Sequence, residues 1–461
     1  MEYTVADLEA WNKKIEKIIN DIGLDYYEQE FETIGYKDML GYEAYLGMPS
    51  RYPHWSFGKA YEKNSTTYKY NLSGLPYEMV INSDPCIAYL MKENTLLLQI
   101  LTMAHVYGHN DFFKNNRLFA EGTRADYTVE LFKTDADMVR GYINDPSIGY
   151  ESVERILDAA HAIKLQTSRV VGEKRISDEA LKSRIMQEYV NKNTNKSILE
   201  PYIKDTPPNI SKIPLEPEDD VLYFIIRYGN LSEWEKNLLQ VVRKETAYFI
   251  PQIETKIMNE GWASYWHYNI LKRLNLPDKL HLEFLKRHND VIAPGIGFIN
   301  PYFIGFKMFE YLHEKYGKEK IFEIRKLERD ESFIRRYLTK ELCYDLNLFE
   351  YAKENENYVI KDVPDEKGWI NIRNTLCSSC GMGMIPYIRI TDMSTRDNTL
   401  TLEHVYDGRE LNMGYAEATI KYIYELWGHT VILKTKMEDG ELSLICESKD
   451  RVIKRMTQMK I

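Results

Sequence analysis

The sequence predicts an α+β protein: a large, mainly helical part over residues 1–355, then a small α+β domain over residues 356–461. Three observations predict it. In the first part, apolar residues recur at helical spacing between recognisable caps and stops. Near residue 355 the texture changes to short β-branched runs bounded by turn residues. No internal repeat or low-complexity tract interrupts the chain.

Taken in order, Leu8, Trp11, Ile15, Ile18, Ile19 and Ile22 share one helical face, and Gly23 stops that helix. Residues 25–80 are rich in Tyr, Gly and Pro and show no period, so loops and short helices are expected there. Ser83-Asp-Pro85 predicts a helix start, with Ser or Asp as cap and Pro in the first turn. The apolar run from Cys86 to about Lys114 then predicts one long buried helix. Residues 127–171 predict two or three helices, split near Asn144-Asp-Pro-Ser-Ile-Gly149. Residues 172–220 turn from charged to Pro-rich and predict a solvated helix and a long connector. Ser232 caps a helix running to Tyr248, Pro251 breaks or kinks it, and a second helix runs to about Leu274. Pro301 opens one more, to Tyr316. Four runs in the last part read as strands: Ile385–Thr391, Thr399–Val405, Thr430–Thr435 and Leu442–Cys446. A helix from about Asn412 to Leu426 sits between the second and third, giving β-β-α-β-β order.

Net charge is −10 and no basic stripe is visible, which argues against a nucleic-acid partner. No apolar run approaches the ~18 residues of a membrane span. The N-terminus lacks the pattern of a signal peptide. Five cysteines in 461 residues are no disulfide framework. A cytoplasmic protein is expected. Cys377-Ser-Ser-Cys380 lacks the second pair that a zinc ribbon needs, and its role stays open.

The chemistry is carried by two segments, His105-Val-Tyr-Gly-His109 and Asn259-Glu260-Gly-Trp-Ala-Ser-Tyr-Trp-His267. Histidines at i and i+4 lie about 6 Å apart along a helix and differ by about 40° in direction, so both can face one ion. Two imidazoles and a carboxylate suit a catalytic zinc with an open position. His105, His109 and Glu260 are therefore the expected metal ligands. In H-E-x-x-H the residue after the first histidine is the general base. Here it is Val106, so the base must come from elsewhere, and neither Glu245 nor Glu254 can be placed. Gly108 would let another helix or a ligand come close, and Ala263 would leave room for the ion. His267 is expected beside the ligands or as an acid/base, and Asp111 as a further ligand or an orienting carboxylate. Arg51 and His54, with Trp55 in the same loop, suit a carboxylate- or sugar-bearing substrate. Asn115, Asn300 and Tyr302 are further candidate substrate contacts. The same three ligands also describe the facial triad of non-haem iron enzymes, so iron stays open beside zinc.

Longer stretches carry a resemblance. They are Met48-Pro-Ser-Arg-Tyr-Pro-His-Trp-Ser-Phe-Gly58, Tyr77-Glu-Met-Val-Ile-Asn-Ser-Asp-Pro85, His105 to Asn116, Lys256 to His267, Ile299-Asn-Pro-Tyr-Phe-Ile-Gly305 and His404-Val-Tyr-Asp-Gly-Arg-Glu-Leu411. Together they resemble the SpoVR family (stage V sporulation protein R) over nearly the whole chain. The resemblance implies a part in forming the spore cortex, the peptidoglycan layer of endospores, although the family also occurs in bacteria without spores. Genome neighbours of the family imply a regulatory kinase as partner. The segment Asn259-Glu-Gly-Trp-Ala-Ser264 also resembles the helix that supplies the glutamate ligand in gluzincin peptidases, which implies a zincin-like first domain. The expectation is a zinc-dependent, hydrolase-like enzyme acting on an amide in a peptidoglycan-related peptide or a protein. A non-catalytic scaffold and a non-haem iron enzyme remain the alternatives.

Overall fold

The computed structural model describes residues 3–70, 78–194, 207–295, 299–354 and 357–457. The expected boundary at 355/356, and residues 195–206 of the expected connector, lie outside the described residues. So do residues 71–77 of the expected loop region. The protein is α+β and mostly helical. It divides into two compact units, each built from two stretches: Met1–Gly141 with Ala247–Met384, and Tyr142–Thr246 with Ile385–Ile461. Residues 142–246 thus group with the C-terminal strands, and residues 357–384 with the first unit.

In the first unit, the opening helix is Val5–Ile22, closed by Gly23 in the left-handed region at φ 84°. Strands β1 (Gln29–Ile34), β2 (Glu78–Ile81) and β3 (Cys86–Met91) form a sheet in the order β1-β3-β2. β1 runs parallel to β3, and β2 antiparallel. The expected loop region thus holds two strands, and also helices Tyr36–Ala44 and Trp55–Lys69. The long helix expected from Cys86 is a strand followed by a shorter helix, Leu96–Asn115, capped by Thr95. Ser83-Asp-Pro85 is a turn, not a helix start, with Ser83 N donating to Ile81 O. An apolar run this short reads equally as buried strand or buried helix. Neighbours on both edges decide for strand, because β3 is the centre of the sheet. A β4–β5 hairpin (Glu350–Glu354, Asn357–Asp362) completes the strands of this unit.

The Leu96–Asn115 helix is buried over nearly its whole length, so its polar side chains must find partners inside the protein. It packs on the helix Lys256–Arg273, which packs in turn on Pro301–Tyr316. Both contacts are made through the smallest residues. A Cβ on Gly108 would lie 2.6 Å from Ala263 Cα, and a Cβ on Gly305 only 2.1 Å from Ile257 O. Ala263 therefore makes room for a helix, not for an ion. Pro251 stays inside the helix Glu233–Glu254, and the break comes at Thr255. The Thr255 hydroxyl donates to Pro251 O at 2.7 Å. Asp330 then accepts from the backbone N–H of Ile257 and Met258 and caps the next helix.

The second unit holds helices Gly149–Ile163, Asp178–Thr194 and Val221–Tyr228 and a mixed sheet. Its strands are β6 (Ile388–Met393), β7 (Leu400–His404), β8 (Val431–Met437), β9 (Gly440–Ser448) and β10 (Arg451–Thr457), in the order β10-β9-β8-β7-β6. Only β7 and β8 are parallel. The helix Met413–Trp427 covers β8 and β9. β10 was not expected: its charges at Arg451, Lys454 and Arg455 interrupt the apolar residues, as befits an exposed edge strand, so no apolar face betrays it.

Candidate metal centre

Four side chains from three elements meet in the first unit. His105 and His109 stand one turn apart on the Leu96–Asn115 helix. Glu260 arrives from the Lys256–Arg273 helix, where the Gly108–Ala263 contact brings the two backbones close. Glu78 is the first residue of the edge strand β2. Ligand atoms of Glu78, His105 and His109 lie within 4.8 Å of one another. Glu260 Oε2 is 3.7 Å from His105 Nε2 and 3.5 Å from His109 Nε2. Glu78 Oε1 is 3.9 Å from His105 Nε2.

The far sides of both imidazoles are also held. His109 Nδ1 lies 2.8 Å from Asn259 Oδ1. An amide oxygen only accepts, so Nδ1 carries a proton and Nε2 is the atom that faces Glu260. His105 Nδ1 lies 2.9 Å from His267 Nδ1, and His267 Nε2 lies 2.9 Å from His288 Nδ1.

The groups perturb one another strongly. Burial pushes Glu78 up to about 7, against a smaller pull from His109. Burial lowers His105 to about 4. For His109 burial acts downward too, but Glu260, Asn259 and Glu78 outweigh it and its pKa is raised. Burial would raise Glu260, yet the two histidines hold it well below the carboxylate range. Burial, then the neighbouring histidines, lowers His267 far below its usual value. The Glu260 charge, then burial, raises the Tyr302 phenol.

These donors fit a divalent cation. Glu260 Oε2 is buried without a hydrogen-bond partner. Its distances to the two imidazoles are too long for good hydrogen bonds. They are close to the roughly 3.4 Å that separates two ligands of one tetrahedral zinc at about 2.0–2.1 Å each. Imidazole with carboxylate also suits iron or manganese.

Of the other expected site residues, the structure brings His267 and Tyr302 to the cluster. The Tyr302 ring stacks 6.2 Å from that of His105. Asp111 is turned elsewhere: it accepts from Asp25 N and Trp262 Nε1, both at 2.8 Å, and Arg325 Nε lies 3.3 Å away. That carboxylate is wholly engaged in tying helices together. Arg51 is buried among the rings of Tyr52, Phe57, Phe132 and Phe249. His54 caps the Trp55–Lys69 helix by accepting from Ser56 N. Asn115 donates to the carbonyls of Asp25 and Asp111. Asn300 caps its helix and donates to Val291 O and Ala293 O. These residues shape the backbone. Glu254 faces Arg329 at 3.7 Å, and Glu245 falls in the second unit. Sequence reasoning missed Glu78, Asn259 and His288. Glu78 and Asn259 lie inside stretches already conspicuous, which was the available signal.

The description "SpoVR like protein" matches residues 2–385. The chain belongs to the SpoVR family. A SpoVR-like C-terminal domain matches residues 386–438. The two matches meet one residue past the point where the chain passes from Met384 in the first unit to Ile385 in the second. This SpoVR-family chain is 34% identical over 487 residues to the uncharacterized protein YcgB of Escherichia coli (strain K12), covering 96% of this chain and 94% of that one. No solved structure matches significantly. Membership associates the chain with sporulation. Among the described residues, no helix is long and apolar enough to cross a membrane.

Proposed function

We propose that the first unit is a metal-dependent, hydrolase-like enzyme acting on an amide. The observation behind this reading is the convergence of two imidazole Nε2 atoms and two carboxylates, with Glu260 Oε2 left without a donor. His105, His109 and Glu260 would hold a divalent ion, zinc first and iron as the alternative. When bound, such an ion polarises a carbonyl and acidifies water.

The chain's own groups supply the rest. Glu78 stands in for the glutamate missing at Val106. Its carboxylate takes the proton of the attacking water and passes it to the leaving amine as the C–N bond breaks. A carboxyl raised to about 7 is well matched to that double duty. The Tyr302 hydroxyl, held beside Glu260, donates to the developing oxyanion. The substrate class is an extended amide, such as a peptidoglycan-related peptide or a protein. The cortex connection rests on family membership, and a zincin-like ancestry on the Asn259-Glu-Gly-Trp stretch.

The test is elemental analysis of the purified full chain beside a His105→Ala/Glu260→Ala variant. Near one equivalent of zinc, lost in the variant, supports the reading and justifies an amide-substrate screen with Glu78→Gln as the inactive control. Iron at that level redirects it to oxygen chemistry. No metal in either protein, with both folded, overturns it in favour of a scaffold.

A further inference from the structure

The His105–His267–His288 chain has no place in the scheme above. His267 is fully buried, and both its nitrogens are engaged, each 2.9 Å from another imidazole nitrogen. Each of these contacts needs one proton between two nitrogens. A buried imidazole with no carboxylate partner is neutral and carries one N–H. It must therefore donate to one neighbour and accept from the other. Only two arrangements satisfy both contacts. In the outward one, His105 Nδ1–H donates to His267 Nδ1, and His267 Nε2–H donates to His288 Nδ1. His105 Nε2 is then a bare lone pair facing Glu260 and Glu78. In the inward one, every donor reverses and His105 Nε2 carries a proton, which blocks it as a ligand.

The His288 ring is firmly seated. It comes from another helix, Asp278–Val291. Its ring is stacked on Tyr268 at 4.6 Å and set edge-on to Phe306 at 5.0 Å. We propose that His288 is a positioning residue: the outward arrangement, the one that keeps His105 Nε2 free to bind a metal, requires an acceptor beyond His267, and His288 Nδ1 stands at that place. It never touches the ion. The neighbouring ligand is held by a simpler device, since Asn259 Oδ1 can only accept from His109. His105 needs two relays for the same result, because its partner is an imidazole able to donate or accept.

The inference rests on the metal reading, and the experiment separates the two. Zinc affinity is measured by chelator competition on the full chain, as parent, His288→Phe and His288→Asn. Phe keeps the stacked ring and removes the acceptor. Asn places an amide oxygen near the position of Nδ1 and removes the ring. Positioning predicts about 10–100-fold weaker zinc binding for H288F and near-parental binding for H288N. A packing role predicts the reverse order. If H288F fails to fold, H288N alone decides: near-parental affinity supports the inference, and a tenfold loss overturns it. H288F binding zinc as tightly as the parent overturns the inference and leaves the metal reading standing. A parent that binds no zinc overturns both.

Discussion

Gly305→Ala is the sharpest perturbation of the scaffold beneath the site. The added Cβ would lie 2.1 Å from Ile257 O and 2.6 Å from Gly261 Cα. Both are backbone atoms, so no side chain can swing aside. The two helices must part by about 1 Å before the contact is tolerable. Overpacking of this kind costs about 1–3 kcal/mol, and the upper end applies where backbone opposes backbone. Alanine returns about 1 kcal/mol of helix propensity. The net loss is about 2 kcal/mol, or a melting temperature roughly 3–4 °C lower for a unit of this size. Glu260 adjoins Gly261, and Tyr302 lies one turn before Gly305, so the same shift spreads the metal cluster. Calorimetry and zinc competition read the two consequences. Gly141→Ala is the control: its helix position has nothing within 4 Å, so the full propensity gain of about 1 kcal/mol is expected. A Gly305→Ala protein that melts at or above the parent, beside a normal control, would refute the close contact.

Other predictions follow from single partners. Glu78 holds its proton in the folded state up to about 7 but unfolds into an ordinary carboxyl near 4.5. The native state thus binds more protons across that window, and metal-free stability falls as pH rises through it. Glu78→Gln should flatten that slope and gain about 1–3 kcal/mol on the parent at pH 8, the lower end reflecting solvent at its partly exposed side chain; urea unfolding at pH 5 and 8 checks this. Asp111→Ala strands Arg325 in the interior and should cost about 3–5 kcal/mol in urea unfolding. An unchanged midpoint would show that Asp111 does not tie the helices. Asn259→Ala frees the His109 tautomer and should weaken zinc about 10–100-fold with little change in melting temperature.

The elements that announced themselves in the sequence were those whose signal is local. The Val5–Ile22 helix carries its own stripe and its own Gly23. The Pro301–Tyr316 helix carries its Asn300 cap and first-turn proline. What stayed hidden depends on neighbours. Cys86–Met91 is apolar on both faces and becomes a strand only because β1 and β2 flank it. The histidine pair was legible from its spacing, and Glu260 from its surrounding stretch. Glu78 was not, because nothing in a strand of four residues says which helix end it will face. Arg51 and His54 misled for a related reason. A charged or polar side chain in an aromatic loop signals burial with partners as readily as it signals a substrate, and here the partners are rings and a helix N-terminus.

The distribution of the acids has a consequence for how this centre can fail. In H-E-x-x-H one helix carries the base and two ligands, so their spacing survives small shifts of the surroundings. Position 106 is rotated about 100° from His105, and Val106 is fully buried. The carboxylates come instead from β2 and from the Lys256–Arg273 helix. Their distance from the histidines is therefore set by packing, at Gly108 against Ala263 and Gly261 against Gly305. Two classes of variant should separate on a plot of zinc affinity against melting temperature. Gly108→Ala, Gly261→Ala and Gly305→Ala should lose both together, with Gly305 and Gly261 below Gly108, in the order of their contact distances of 2.1, 2.3 and 2.6 Å. Asn259→Ala should lose affinity alone. If the glycine variants lose stability and keep full affinity, the helices do not set the ligand spacing, and the centre is held by its own hydrogen bonds.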